Sequence, residues 1–164
     1  MAVGTVRALS GFITQAKYLR SKTTLEVERR LGYRSGRLAQ GYTLWFLLDP
    51  LRPEDFEFRG YTQMSGGVPM GHKPSHANDP NAEESLRAGG YDVDAIKRRI
   101  CEETFKYSGP DRLCKVTPNA PVFGENDYPP GSGIPQWEIL RHRAKRFKVA
   151  AEIAGDGRYT GDYH

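Results

Sequence analysis

The stretch Asp127–Ile153, DYPPGSGIPQWEILRHRAKRFKVAAEI, decides how the rest of the chain is read. It opens on Pro129-Pro130-Gly131-Ser132-Gly133. Proline lacks an amide donor and glycine gives up much conformational entropy, so these residues form a loop. Ile134 to Leu140 then alternates well enough to be a strand. Phe147 to Ile153 alternates again, with Phe147, Val149, Ala151 and Ile153 turned one way. The link between them, Arg141-His142-Arg143-Ala144-Lys145-Arg146, is heavily basic. Strand side chains repeat every two residues, so Gln136 and Glu138 project to one face and Trp137 and Ile139 to the other. Trp137 belongs by default in a core. A strand that sets Gln and Glu side by side marks a face that is wet or functional.

Working outward, Arg112 to Thr117 (RLCKVT) reads as a strand. Before it, Asp92 caps a helix that runs to about Tyr107, with Val93, Ile96, Ile100 and Phe105 near one face. Asp79-Pro80 opens a shorter helix that Gly89-Gly90 closes. Tyr42 to Leu48 (YTLWFLL) is nearly all apolar and β-prone, which predicts a central strand buried on both faces. Phe56 to Met64 alternates and is expected beside it. Thr23 with Glu26 forms a capping box for a helix that ends at Gly32. Thr5 to Thr14 gives a short strand, a turn at Ser10-Gly11 and an apolar exit. The expected fold is α+β: a single domain over residues 1–154, with a mixed or mostly antiparallel split sheet and flanking helices. Residues 155–164 are expected to be a loose tail.

The 164 residues are enough for one domain with a core, and 38% hydrophobic with 27% charged residues describes a soluble globular chain. No apolar run is long enough to span a bilayer, and Met1-Ala2-Val3-Gly4 lacks the layout of a signal peptide. Cys101 and Cys114 are expected to be thiols. The net charge of +4 is compatible with an anionic partner such as nucleic acid without requiring one. There is no P-loop, G-x-G-x-x-G, C-x-x-C or G-x-S-x-G, which removes the commonest nucleotide, zinc and hydrolase readings. His72 and His76 have ligand spacing, but Pro74 interrupts it, so no metal site is expected.

Three polar spots remain: Arg7 in Thr5-Val6-Arg7-Ala8-Leu9-Ser10, Ser65 in Tyr61-Thr62-Gln63-Met64-Ser65, and Glu138 in Gln136-Trp137-Glu138-Ile139-Leu140, followed by Phe147-Lys148-Val149. In this order they resemble the Arg, Ser and Glu elements of the ADP-ribosyltransferase superfamily. The Ser element departs from that family's Ser-Thr-Ser, with one serine in place. The size and the YPPGSGIPQW ending also resemble C-terminal toxin domains of bacterial Rhs, contact-dependent and type VI delivery systems.

The resemblance implies NAD as the substrate, with Arg7 on its phosphates, Ser65 in the nicotinamide pocket and Tyr61 stacking on the ring. Glu138 is then the catalytic carboxylate and Gln136 the group that orients a nucleophile. It implies an intracellular macromolecular acceptor, nucleic acid or protein, a cognate immunity protein, and delivery by a larger carrier without membrane binding. The chemistry is consistent: breaking a nicotinamide–ribose bond develops positive charge on the sugar, and a fixed carboxylate stabilises it there. Two readings of another class compete. A metal-independent ribonuclease would use His72, His76, His142 and the Arg141–Arg146 run. A non-catalytic binding or immunity module would use Gln136 and Glu138 as interface groups.

Overall fold

The computed structural model describes residues 3–58, 62–72, 81–120 and 134–163. In chain order its elements are β1 (Val6–Leu9), β2 (Gly11–Gln15), α1 (Thr24–Leu31), β3 (Tyr42–Leu47), β4 (Phe56–Glu57), β5 (Thr62–Ser65), β6 (Val68–His72), α2 (Ala82–Ala88), α3 (Val93–Arg99), β7 (Leu113–Pro118), β8 (Trp137–Ile139) and β9 (Lys145–Ile153). They build an α+β domain on a mostly antiparallel seven-stranded sheet of order β1-β9-β3-β7-β2-β8-β4, with β5 and β6 as a separate hairpin.

The apolar run at Tyr42 becomes the middle strand. β3 is buried at every residue and is paired along its length with β7 on one side and β9 on the other. Its odd residues Trp45 and Leu47 join a first core cluster with Phe147, Val149, Trp137 and the apolar face of α3. Its even residues Tyr42, Leu44 and Phe46 join a second cluster with Cys114, Val116 and the apolar face of α1. Helices thus cover both faces, and a strand in that position has no wet side to make polar.

The Ser10-Gly11 turn closes the sheet. Ser10 alone separates β1 from β2, yet β1 pairs with β9 and β2 with β7, the two neighbours of β3. A single bent ribbon therefore reaches both flanks of β3, and β1–β2, β9, β3 and β7 run round as a ring. Gly11, at φ +93°, supplies a backbone conformation that a side chain disfavours.

Local signals held where they are short-range. The Thr23–Glu26 capping box is formed in both directions, and Gly32 ends α1 in the left-handed region. The Asp92 carboxylate accepts from the amide of Ala95 at 3.1 Å, and α3 continues as a π turn over Ile100–Thr104. Trp137 is in the core, edge-on to Phe105. Cys101 and Cys114 are both free thiols.

Other expectations are corrected. Phe56 to Met64 is not one strand beside β3: Phe56 and Glu57 pair with β8, and Thr62–Ser65 belongs to the hairpin. The pin is Asp55. Its buried carboxylate binds Lys145 at 3.0 Å and the Arg52 amide at 2.8 Å, while its carbonyl accepts from Leu140 at 2.9 Å. Asp79 and Pro80 lie outside the described residues, and α2 begins at Ala82 with Asn81 as its N-cap. Residues 155–163 are packed rather than loose. Tyr159 is buried against Phe46, Arg20 donates to the carbonyls of Thr160 and Gly161, and a Cβ on Gly155 would collide with the Ala39 carbonyl oxygen.

Candidate functional site

β2 meets its two neighbours with opposite ends. Thr14 and Gln15 pair with Cys114 and Leu113 of β7, but Gly11, Phe12 and Ile13 pair with β8. The strands splay, and the gap holds a pocket of about 150 Å³ walled by Gly11, Phe12, Tyr33, Lys115, Val116 and Gln136.

Lys115 spans the gap. Its Nζ donates to the Phe12 carbonyl at 3.4 Å, a weak bond in place of a ladder contact. It sits over Gly11, where an added Cβ would come within 3.0 Å of Nζ. The glycine thus serves both the turn and the lysine. Burial pushes the Lys115 ammonium down from its ordinary 10.5 to about 8, and the Glu138 carboxylate opposes that fall. An ammonium that titrates near neutral beside a carboxylate is suited to holding an anion or moving a proton.

Glu138 is half-buried between the core residues Trp137 and Ile139, on the opposite face from them. Its cross-strand partner on β4 is Glu57. Directly opposed residues of an antiparallel pair share a face, so two carboxylates lie side by side on adjacent strands. Like charges so placed disfavour each other, and the coupling of Glu138 to Lys115 supplies a compensating cation.

The walls are held by polar ties. Gln136 is buried, not wet, and its amide donates to the Leu31 carbonyl at 3.3 Å, fixing the entry to β8 against the end of α1. Thr14 donates to the Pro135 carbonyl at 2.8 Å from the other side. The Tyr33 hydroxyl donates to the Val116 carbonyl at 3.4 Å. The loop carrying Tyr33 is anchored by buried Glu28, whose carboxylate accepts from the amides of Gly36 at 3.0 Å and Leu38 at 2.7 Å. Arg37 lies over the Tyr33 ring at 5.9 Å.

The expected residues do not all converge. Gln136 lines the pocket and Glu138 is coupled to it through Lys115. Arg7 is elsewhere: it is exposed on β1, opposite Phe147, on the side that Leu9 and Phe147 turn toward the first cluster. Glu138 faces away from that cluster, so the two lie on opposite faces of the sheet and form no common site. The backbone of Ser65 belongs to the β5–β6 hairpin, and Tyr61 lies outside the described residues. Of the ribonuclease set, His142 is exposed on a 3₁₀ turn, His72 ends β6, and His76 lies outside the described residues. Lys145 and Arg146 of the basic run are bound to Asp55 and Asp49.

Lys115 and Glu57 were missing from the sequence reading. A lysine inside the apolar run Leu113–Val116 was the available signal for the first. The second had none, because it depends on the β4–β8 register. Among the described residues no group of three or more His, Cys, Asp or Glu side chains is placed to hold a metal ion, and no helix is long and apolar enough to cross a membrane.

Compared with protein-family models, with curated proteins and with solved structures, the chain matches none. Fold and site therefore rest on the chain's own geometry.

Proposed function

We propose that the chain is an NAD-consuming enzyme of the ADP-ribosyltransferase kind, acting at the β2–β7 gap with Lys115 in the cationic role first expected of Arg7. The observation that supports this reading is the coupling of Glu138 to a partly buried Lys115 at a pocket the size of one ring. Small-molecule sites usually enclose roughly 300–1,000 Å³. At about 150 Å³ this one takes the nicotinamide or the ribose, with the rest of the dinucleotide outside it.

In this reading the C1′–N bond breaks and its electron pair leaves on the nicotinamide nitrogen. Glu138 stabilises the positive charge that develops on the sugar. Lys115 holds a phosphate oxygen and fixes the pose. Glu57, beside Glu138, takes the proton that the attacking hydroxyl, amine or water gives up when the new bond forms. The acceptor is an intracellular macromolecule, and the chain is a delivered toxin domain with a cognate immunity protein.

The test is nicotinamide release from NAD by purified protein, with and without bacterial lysate, beside Glu138→Ala. Lysate-stimulated release that the variant loses supports a transferase, and release without lysate supports a glycohydrolase. No release under either condition overturns the NAD reading. Cleavage of RNA in EDTA without NAD, lost in Lys115→Met, would move the same pocket to the ribonuclease reading, with Lys115 in place of the histidines.

A further inference from the structure

The sheet ends on β1 at one side and on β4 at the other, and β1 is the longer. Val6, Arg7 and Ala8 are all exposed on it. Two hydrogen bonds show which way its backbone groups point. The Val149 amide donates to the Thr5 carbonyl at 2.8 Å, and the Leu48 amide donates to the Arg146 carbonyl at 2.9 Å. Over Lys145–Val149, β9 therefore turns its odd-numbered backbone groups to β1 and its even-numbered ones to β3. In the β1–β9 register Arg7 and Leu9 bond across to β9, while Val6 and Ala8 each present an amide and a carbonyl outward. Among the described residues no strand pairs with that side of β1. An end strand with such groups exposed is a template for another extended segment.

The side chains along the edge say what that segment is. Arg7 is on one face, exposed, with no ion-pair partner among the described residues. On the other face Val6, 50% exposed, stands beside its cross-strand partner Lys148, which also has no ion-pair partner among the described residues. Behind Val6 an open groove of about 510 Å³ runs between β9 and residues 158–162, and Lys148 and the exposed Val3 line it. β1 itself carries no acidic residue. The edge thus offers apolar surface with an unpaired cation on each face. A second copy of the chain fits it poorly: in a fully overlapped antiparallel pairing Arg7 would oppose the copy's own Arg7, and like charges so placed are destabilising. An acidic strand places its carboxylates where those cations are.

We propose that β1 is a docking edge for an extended acidic segment of a protein partner, which adds to the sheet beside β1 with carboxylates toward Arg7 and apolar side chains toward Val6. Main-chain bonds to Val6 and Ala8 hold the segment, and Arg7 selects its charge. The edge is not part of the β2–β7 gap, and the proposal does not rest on the NAD reading.

The experiment is fluorescence anisotropy of a labelled peptide that alternates Val and Glu, beside one that alternates Val and Lys, each titrated with the whole chain. The Val–Glu peptide is expected to saturate, with a Kd about tenfold below that of the Val–Lys peptide. Arg7→Glu should reverse the preference. Ala8→Pro removes an outward amide and spares the β1–β9 ladder, so it should melt with the wild type and weaken the Val–Glu peptide by about tenfold or more. Equal affinity for the two peptides, no saturation by either, or full binding in Ala8→Pro overturns the proposal. So does a wild-type chain that dimerises in sedimentation while Ala8→Pro stays monomeric, which gives the edge to a second copy. Displacement of the Val–Glu peptide by single-stranded RNA also overturns it, because the edge would then be a general anion patch. Arg7→Glu, an exposed change, decides the matter alone should Ala8→Pro not fold.

Discussion

β3 and β2 are both inner strands of one sheet, and they differ in what their edges do. β3 is paired antiparallel with β7 from Tyr42 to Phe46 and with β9 from Tyr42 to Leu47, with one register shift at Leu44/Trp45, and every residue is buried. β2 gives two residues to β7 and three to β8, and a gap opens between β2 and β7 where Gly11–Ile13 have left the β7 ladder. Where the ladder is complete, backbone groups satisfy one another and side chains are left to pack. Where it parts, a carbonyl of β2 is met by the Lys115 ammonium instead of an amide. The polar chemistry of the sheet gathers at that break.

The contrast can be broken at its strong end first. Phe147, fully buried opposite Leu47 of β3, carries packing alone. Phe147→Ala should cost about 3–5 kcal/mol in urea denaturation; a loss under about 1 kcal/mol would contradict the complete-ladder picture. At the splayed end the expected effect is on chemistry. Lys115→Met should lower nicotinamide release by about 100-fold, the size of a lost substrate-positioning contact, while melting as high as the wild type or higher. A variant that unfolds instead would make Lys115 a structural member of the sheet.

The loop beside the pocket gives the next effect. Glu28→Gln turns one of the two carboxylate oxygens into an amide donor, and leaving the buried amide of Leu38 unsatisfied costs about 1–3 kcal/mol. Activity should fall with it, because Tyr33 is carried on that loop. Equal activity at reduced stability would separate the loop from the site.

The pH dependence sharpens the comparison. The folded Lys115 titrates at about 8, below the ordinary 10.5. Between those values the unfolded chain binds the extra proton, so this residue's unfavourable contribution is complete below pH 8 and is relieved as pH rises toward 10.5. Stability of the wild type relative to Lys115→Met should therefore rise over that window. Activity that needs the ammonium should fall as pH passes about 8. A flat difference between the two proteins from pH 8 to 10.5 would place Lys115 in water.

Much of the complete-ladder region was legible in the sequence, because its signals are local. An apolar β-prone run at Tyr42, a capping box at Thr23 and Asp92 before an apolar periodicity each carry their own stereochemistry. Trp137 and Ile139 went to the core by alternation alone. The site was legible only in part. Gln136 and Glu138 were found as a polar pair, but alternation could not say that Gln136 would be buried against Leu31. Glu57 and Lys115 reach Glu138 through registers between strands far apart in the chain, which no local pattern encodes. Arg7 had a sound strand signal, but the face it takes depends on the β1–β9 register that sets it opposite Phe147, again a pairing between distant segments. The tail misled because Gly155, having no side chain, allows close contact with Ala39.

The most direct test of the central claim is nicotinamide release from NAD by Arg7→Ala and Glu138→Gln side by side with the wild type. The account predicts that Arg7→Ala keeps wild-type release and that Glu138→Gln loses about 100-fold or more. Loss in Arg7→Ala with release retained in Glu138→Gln would contradict it, and would put the reaction on the other face of the sheet.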